Sequence, residues 1–366
     1  MLKTFDDVLT IRNGKNQKAV ENPDGRYPIY GSGGVMGWAD DYICGENTVV
    51  IGRKGSINNP IFVEEPFWNV DTAFGLVADE KQLLPRYLYY FCRYFDFEKL
   101  NTTVTIPSLT KANLLKIQIE VPDKNQQAEI IERLQSVEKL VALRKEQLTK
   151  LDNLVKARFV EMFGDPANNP MGWKTLTFKE ACIKISDGPF GSNLKSEHYS
   201  ESGIRVIRLG NIGVGTFIDN DRSFIPEEHY QKLKKYTCKS GEIVIGTLGE
   251  PNLRACILPD WIGVAVNKAD CVHYIPKPDI LMNRFVCQYI NCPETLLLAS
   301  GLVHGQTRSR VSSGQIAAMP IFVPPMELQQ KFSAFVAQID KSKVVVQKAL
   351  NETQMLFDSL MQEYFG

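Results

Sequence analysis

One stretch limits what this chain can fold into, because it occurs twice. Residues 125–163 read as a helical run with apolar positions Ile130, Leu134, Val137, Val141, Leu148, Leu151, Val155 and Met162. The positions 202 residues later are Phe332, Val336, Ile339, Lys343, Leu350, Thr353, Phe357 and Tyr364, and six of these eight are again apolar or aromatic. The flanks obey the same offset: Val121-Pro122 answers to Val323-Pro324, Gln127 to Gln329, and Phe163-Gly164 to Phe365-Gly366. One offset without gaps over such a span is an internal duplication.

The steps between the apolar positions alternate between three and four, or their multiples. That is the 3.5-residue repeat of a coiled-coil seam. Pro122 and Pro324 set the starts, because proline is tolerated before or in a first turn but not inside a helix. Gly164 and Gly366 are stop signals. Each run of about 40 residues would be a rod of roughly 60 Å at ~1.5 Å per residue. Such a rod has an apolar stripe and no core, so it needs a partner, and the other copy is the natural one. Lys343 and Thr353 interrupt the second stripe, and Arg144 and Arg158 the first. Polar interruptions fix register at some cost in stability. The competing reading is two unrelated amphipathic helices, each lying on a globular domain.

The segments between the rods also correspond. Residues 1–121 read as a mixed globular unit with a buried strand Thr48-Val49-Val50-Ile51, the loop Gly52-Arg53-Lys54-Gly55-Ser56, a second strand over 70–77 and an aromatic helix over 86–97. Residues 165–323 repeat that order. Residues 236–249 lie over 42–55, with Tyr, Cys, three β-branched residues and two glycines in one frame. A polar loop, 101–110, returns as 301–313. Gly164-Asp165-Pro166-Ala167-Asn168-Asn169-Pro170 is rich in turn formers and marks a break. The boundaries are therefore 1–121, 122–164, 165–323 and 324–366. One scaffold with two dissimilar sets of side chains suggests two binding specificities rather than a doubled active site.

Composition excludes some classes. No run of 18 apolar residues is present, so no membrane span is expected, and Met1 to Asp7 has no apolar signal region. Eight dispersed cysteines without a CxxC pair fit reduced cytosolic thiols rather than a zinc site. The formal net charge of zero does not exclude nucleic acid, because affinity depends on where the basic residues sit.

The order of globular unit, Val-Pro…Gln and long helix, given twice, resembles the specificity subunit of type I restriction–modification systems. Each unit also carries a strand followed by Gly-x-x-Gly: Ile51-Gly52-Arg53-Lys54-Gly55 and Ile245-Gly246-Thr247-Leu248-Gly249. The resemblance covers essentially the whole chain. One departure is Asp123, which stands where Pro325 completes Val-Pro-Pro in the second copy. It implies an α+β fold, with two similar mixed α/β target-recognition domains separated by two long antiparallel helices forming a coiled coil. It implies that each domain reads one half of a bipartite site in double-stranded DNA. It also implies that the helix pair sets the unread gap and docks two methyltransferase subunits. Those subunits bind S-adenosylmethionine and methylate adenine N6; where cleavage is coupled, motor-nuclease subunits join. The chain itself is then non-catalytic, cytoplasmic and without a cofactor or metal of its own.

The residues agree in what they lack. An amino-methyltransferase needs an Asn/Asp-Pro-Pro-aromatic loop, and Asn59-Pro60-Ile61-Phe62 and Glu65-Pro66-Phe67-Trp68 do not fit. The glycine clusters at 31–37 and 210–215 are not in G-x-G-x-x-G order, and no P-loop occurs. What remains is loop chemistry suited to base edges and phosphates. The richest loop offers His304, Gln306, Thr307, Arg308 and Arg310. Its counterpart offers Thr103, Thr105 and Ser108. Arg53 and Lys54 follow a strand, and Arg205 and Arg208 sit beside Asn211. Each is also what a solvated surface residue would look like. The alternatives are a self-sufficient DNA methyltransferase or restriction enzyme, and a coiled-coil adaptor that binds proteins.

Overall fold

The structure, a computed structural model, describes residues 1–100, 108–300 and 310–366. Its two longest elements are helices of 40 residues each, Lys124–Phe163 and Met326–Phe365. They begin and end at the offset read from the sequence. The chain divides into two compact units, residues 1–146 with 347–366, and residues 147–346. Each helix therefore contributes one part to each unit.

The first unit contains β1 (Leu2–Thr4), β2 (Leu9–Asn13), β3 (Tyr27–Gly31), β4 (Gly34–Ala39), β5 (Thr48–Gly52), β6 (Ile61–Val63), β7 (Trp68–Asn69), β8 (Ala73–Ala78) and β9 (Gln118–Glu120). Strands β2-β8-β5-β6 form an antiparallel sheet, β4-β3-β7 a smaller one in which β3 and β7 run parallel, and β1 pairs with β9. Every residue of β5 is buried, which is why it reads as an unbroken apolar run. Behind this sheet, Phe5, Ile51, Leu76, Tyr87, Leu88 and Phe91 make the core. The helix Pro85–Tyr94 supplies the aromatics.

In this unit residues 124–146 of one long helix pair with 347–366 of the other. Leu134 and Val137 meet Phe357 and Met361 in one cluster with Tyr90. Arg133 donates to the Tyr364 hydroxyl at 3.2 Å, and Arg144 to Thr353 and the carbonyl of Ala349. Rising numbers on one helix meet falling numbers on the other, so the pair is antiparallel. Arg144 and Thr353, which interrupt the apolar stripes, interrupt them opposite each other. The pair also seats on the sheet domain: the Phe365 ring lies 5.1 Å from that of Tyr87.

The second unit contains β10 (Lys174–Thr177), β11 (Cys182–Ser186), β12 (Ile204–Ile207), β13 (Ser223–Ile225), β14 (Thr237–Lys239), β15 (Ile243–Gly246), β16 (Arg254–Ile257), β17 (Val264–Asn267), β18 (Cys271–Pro276) and β19 (Pro320–Val323). The sheets repeat those of the first unit. β11-β18-β15-β16 matches β2-β8-β5-β6, β10 pairs with β19, and β13-β12-β17 matches β4-β3-β7, parallel pair included. β14 adds a strand at the β17 edge. The core joins Phe178, Ile245, Val272, Tyr274 and Phe322 to Phe159, Phe163 and Phe332 of the long helices. Ring centroids lie 5.4 Å apart for Phe159–Phe332 and 4.9 Å apart for Phe163–Phe285. Here residues 147–163 pair antiparallel with 326–346; of the other two interruptions, Lys343 is ion-paired with Asp152 across the pair and Arg158 with Glu161 of its own helix.

All eight cysteines are free and buried. Among the described residues no helix is long and apolar enough to cross a membrane, and no group of side chains is arranged to hold a metal ion.

Candidate nucleic-acid interface

In the first unit three segments converge on the end of β5. The Arg53 amide donates to the Thr72 carbonyl at 2.7 Å, the Leu109 amide donates to the Arg53 carbonyl at 2.9 Å, and Lys54 bridges to Ser108. The buried amide of Asn69 donates to the Ala73 carbonyl at 3.3 Å and to that of Arg12 at 3.5 Å. Gly14 lies so close to the Val70 carbonyl that no side chain fits there. The backbone frame is thus closed, and Arg53 and Lys54 are exposed beyond it. The Arg53 guanidinium lies over the Phe74 ring, 5.8 Å from its centroid. Ser32, at the turn between β3 and β4, borders Gly52.

The second unit builds the same frame. The Thr247 amide donates to the Asp270 carbonyl at 3.0 Å, the Val311 amide to the Thr247 carbonyl at 3.1 Å, and Leu248 bridges to Arg310. Asn267 donates to the carbonyls of Cys271 at 2.6 Å and Ser186 at 3.4 Å. Gly188 abuts the Lys268 carbonyl as Gly14 abuts that of Val70.

The side chains on this shared frame differ. Asn13, Thr72 and Ser108 of the first unit correspond to Asp187, Asp270 and Arg310 of the second. Arg310 Nη2 donates to Asp187 at 3.1 Å, and its Nε lies 2.8 Å from a carboxylate oxygen of Asp270, close enough for an ion pair but not aligned for a hydrogen bond. Burial pushes the Asp187 carboxyl above its ordinary range. Where the first unit has exposed Arg53 and Lys54, the second has buried Thr247, and Leu248 beside it.

Of the other expected contacts, Arg205 is buried, 6% exposed, and braced by Asp219 at 2.7 Å and the Asp221 carbonyl at 2.7 Å. Arg208 is half-buried and pairs with Asp221 at 2.8 Å. Ser108 is half-buried at the root of its loop. Thr103, Thr105, His304, Gln306, Thr307 and Arg308 lie outside the described residues. The structure adds three residues that the sequence reading passed over. Phe190 is 47% exposed, and its ring centroid lies 5.1 Å from the Arg310 guanidinium. Lys268 lies 5.6 Å from the centroid of Tyr199. Arg222, exposed, pairs with Asp219. An aromatic residue framed by turn formers, Gly188-Pro189-Phe190-Gly191, was the signal available for the first.

Comparison with known proteins bears on what this frame is for. Residues 1–153 match the family described as type I restriction modification DNA specificity domain. The specificity subunit of type I restriction enzyme MjaVIII from Methanocaldococcus jannaschii is 22% identical over 334 residues, 84% of this chain and 77% of that one. The crystal structure of the type I restriction–modification S subunit from M. genitalium is similar over 100% of this chain and 96% of that one, with TM-score 0.59 and 17% identity. A structure from work on complex assembly and conformational transition of the type I system is similar over 100% of this chain and 97% of that one, with TM-score 0.60 and 14% identity.

Proposed function

We propose that this chain is a specificity subunit of a type I restriction–modification system and reads DNA in two halves, one with each unit, a reading supported by the family match and the similar relatives. The observation that carries this reading is the repeated frame with unlike side chains. Two copies of one scaffold carry Arg53, Lys54 and Ser108 at these positions in one case, and Thr247, Leu248 and Arg310 in the other, so the first copy exposes two cations where the second exposes none. Base identity is read by side chains at groove edges, while phosphate contacts position the protein. A duplicated backbone with divergent side chains therefore suits two different half-sites.

The antiparallel helix pair is the candidate spacer between the two readings. In this proposal it also docks two methyltransferase subunits, which bring S-adenosylmethionine, and a motor-nuclease subunit where cleavage is coupled. A structural relative that comes from work on assembly of the type I system supports such partners. The chain itself transfers no methyl group and cuts no strand.

The test is a chimera in which residues 165–323 are replaced by those of another specificity subunit. Selection from randomised duplexes should then return a site changed in one half only. A change in both halves, or in neither, overturns the reading. Methyl transfer from S-adenosylmethionine to DNA by the purified chain alone would overturn its non-catalytic part.

A further inference from the structure

Arg310 looks in the sequence like a DNA-reading cation, but two carboxylates hold it, Asp187 at 3.1 Å and Asp270 at 2.8 Å. The trio carries one positive and two negative charges, so a phosphate brought to it meets repulsion rather than neutralisation. What the trio presents instead is the Phe190 ring, stacked on the guanidinium with 5.1 Å from its carbon to the ring centroid.

The segment that carries Phe190 is held from several sides. Gly188 abuts the Lys268 carbonyl, the Phe190 carbonyl accepts from Asn193 Nδ2 at 3.2 Å, and His229 Nε2 lies 2.9 Å from the Asn193 carbonyl. A large aromatic side chain left 47% exposed on a fixed loop, against Arg310, is available for an apolar contact. In the major groove the one apolar mark on a base pair is the thymine 5-methyl group. The position corresponding to Phe190 in the first unit is Asn16, so this contact belongs to one half of the site.

We infer that Phe190 is a specificity-determining residue of the second unit, packing against the 5-methyl group of a thymine, with Arg310 as the positioning residue beneath it. This rests on the two-half reading above. The full chain, as wild type, Phe190→Ala and Phe190→Leu, is used to select from randomised duplexes. Phe190→Ala should lose a thymine preference at one position, in the half-site assigned to residues 165–323 by the chimera, and keep the other half intact. Retention of the remaining positions of that same half-site shows that the second unit of the variant is folded. Phe190→Leu, still apolar, should keep part of the preference. Uracil at that position removes only the methyl group. It should weaken the wild type about fourfold, the value of one buried carbon, and leave Phe190→Ala unaffected. Unchanged selection by Phe190→Ala, or a wild type indifferent to uracil, overturns this inference alone. A wild type that selects no sequence overturns the two-half reading with it.

Discussion

Gln127 and Gln329 make the same three hydrogen bonds, each in its own unit. Gln127 Oε1 accepts from the Leu84 amide at 2.8 Å, and its Nε2 donates to the carbonyls of Gln82 at 2.8 Å and Pro122 at 2.9 Å. Gln329 accepts from the Met282 amide at 2.9 Å and donates to Ile280 at 3.0 Å and Pro324 at 2.9 Å. Both side chains are fully buried. Each ties the start of a long helix to the residue that precedes a domain helix, Pro85–Tyr94 or Asn283–Ile290.

Gln127→Leu keeps the volume but strands one amide and two carbonyls without water. Unpaired buried groups cost about 1–3 kcal/mol each, with partial relaxation, so a loss of about 3 kcal/mol is expected. Denaturant unfolding measures it, and Gln329→Leu should cost a similar amount. A loss below about 1 kcal/mol would mean that the clamp adds little beyond packing.

The helix pair should owe its stability to rings rather than charges. Phe159 is fully buried and lies 5.1–5.4 Å from the rings of Phe163, Phe285 and Phe332. Phe159→Ala should cost about 3–5 kcal/mol. The Lys343–Asp152 pair leaves 27% and 56% of its side chains exposed. Water and salt screen it, so Asp152→Ala should cost less than about 1 kcal/mol in the same unfolding assay. Equal costs would contradict this ranking.

These two contrasts mark how far the sequence could be read. The helices, their starts and their pairing follow from periodicity and repetition, since a 3.5-residue stripe given twice is matched by its own copy. The motif residue Gln127 was visible by repetition, but its role was not. Its partners Gln82 and Leu84 lie more than 40 residues away, and no local pattern encodes that contact. The parallel pairing of β3 with β7 was hidden for the same reason. At the candidate interface, residue type signalled chemistry but not availability. Arg205 and Arg310 read as DNA contacts, whereas their charges are engaged by Asp219, Asp187 and Asp270. Those acids come from distant segments.

Acid should weaken the second unit through His273. The side chain is 1% exposed, its Nε2 lies 2.8 Å from Glu242 Oε2, and Lys184 is the charged neighbour on the adjoining strand. Burial, and then Lys184, hold its pKa below the ordinary 6.5 against the pull of Glu242. The unfolded chain takes up a proton below about pH 6.5 that the folded chain refuses. The unfolded state then binds more protons, and stability is lost as pH falls through that window. Melting temperature followed from about pH 7.5 to about pH 5 should drop, and His273→Gln should flatten the drop. A wild-type profile that stays level over this range would contradict the burial argument.

The spacer role of the helix pair is tested by length. Seven residues inserted after Glu146 and seven after Val346 keep the 3.5-residue stripe in phase on both helices. Each insertion adds about 10.5 Å at ~1.5 Å per residue. At about 3.4 Å per base pair that lengthens the unread gap by about three base pairs, with both half-sites unchanged. Two residues inserted at the same places turn the apolar stripe by about 200°, to the far face of each helix, which should lower the melting temperature instead. Selection from randomised duplexes reads the gap directly. A seven-residue variant that folds and keeps the original gap would show that spacing is set elsewhere, because a pair of helices acting as a ruler cannot be lengthened without lengthening what it measures.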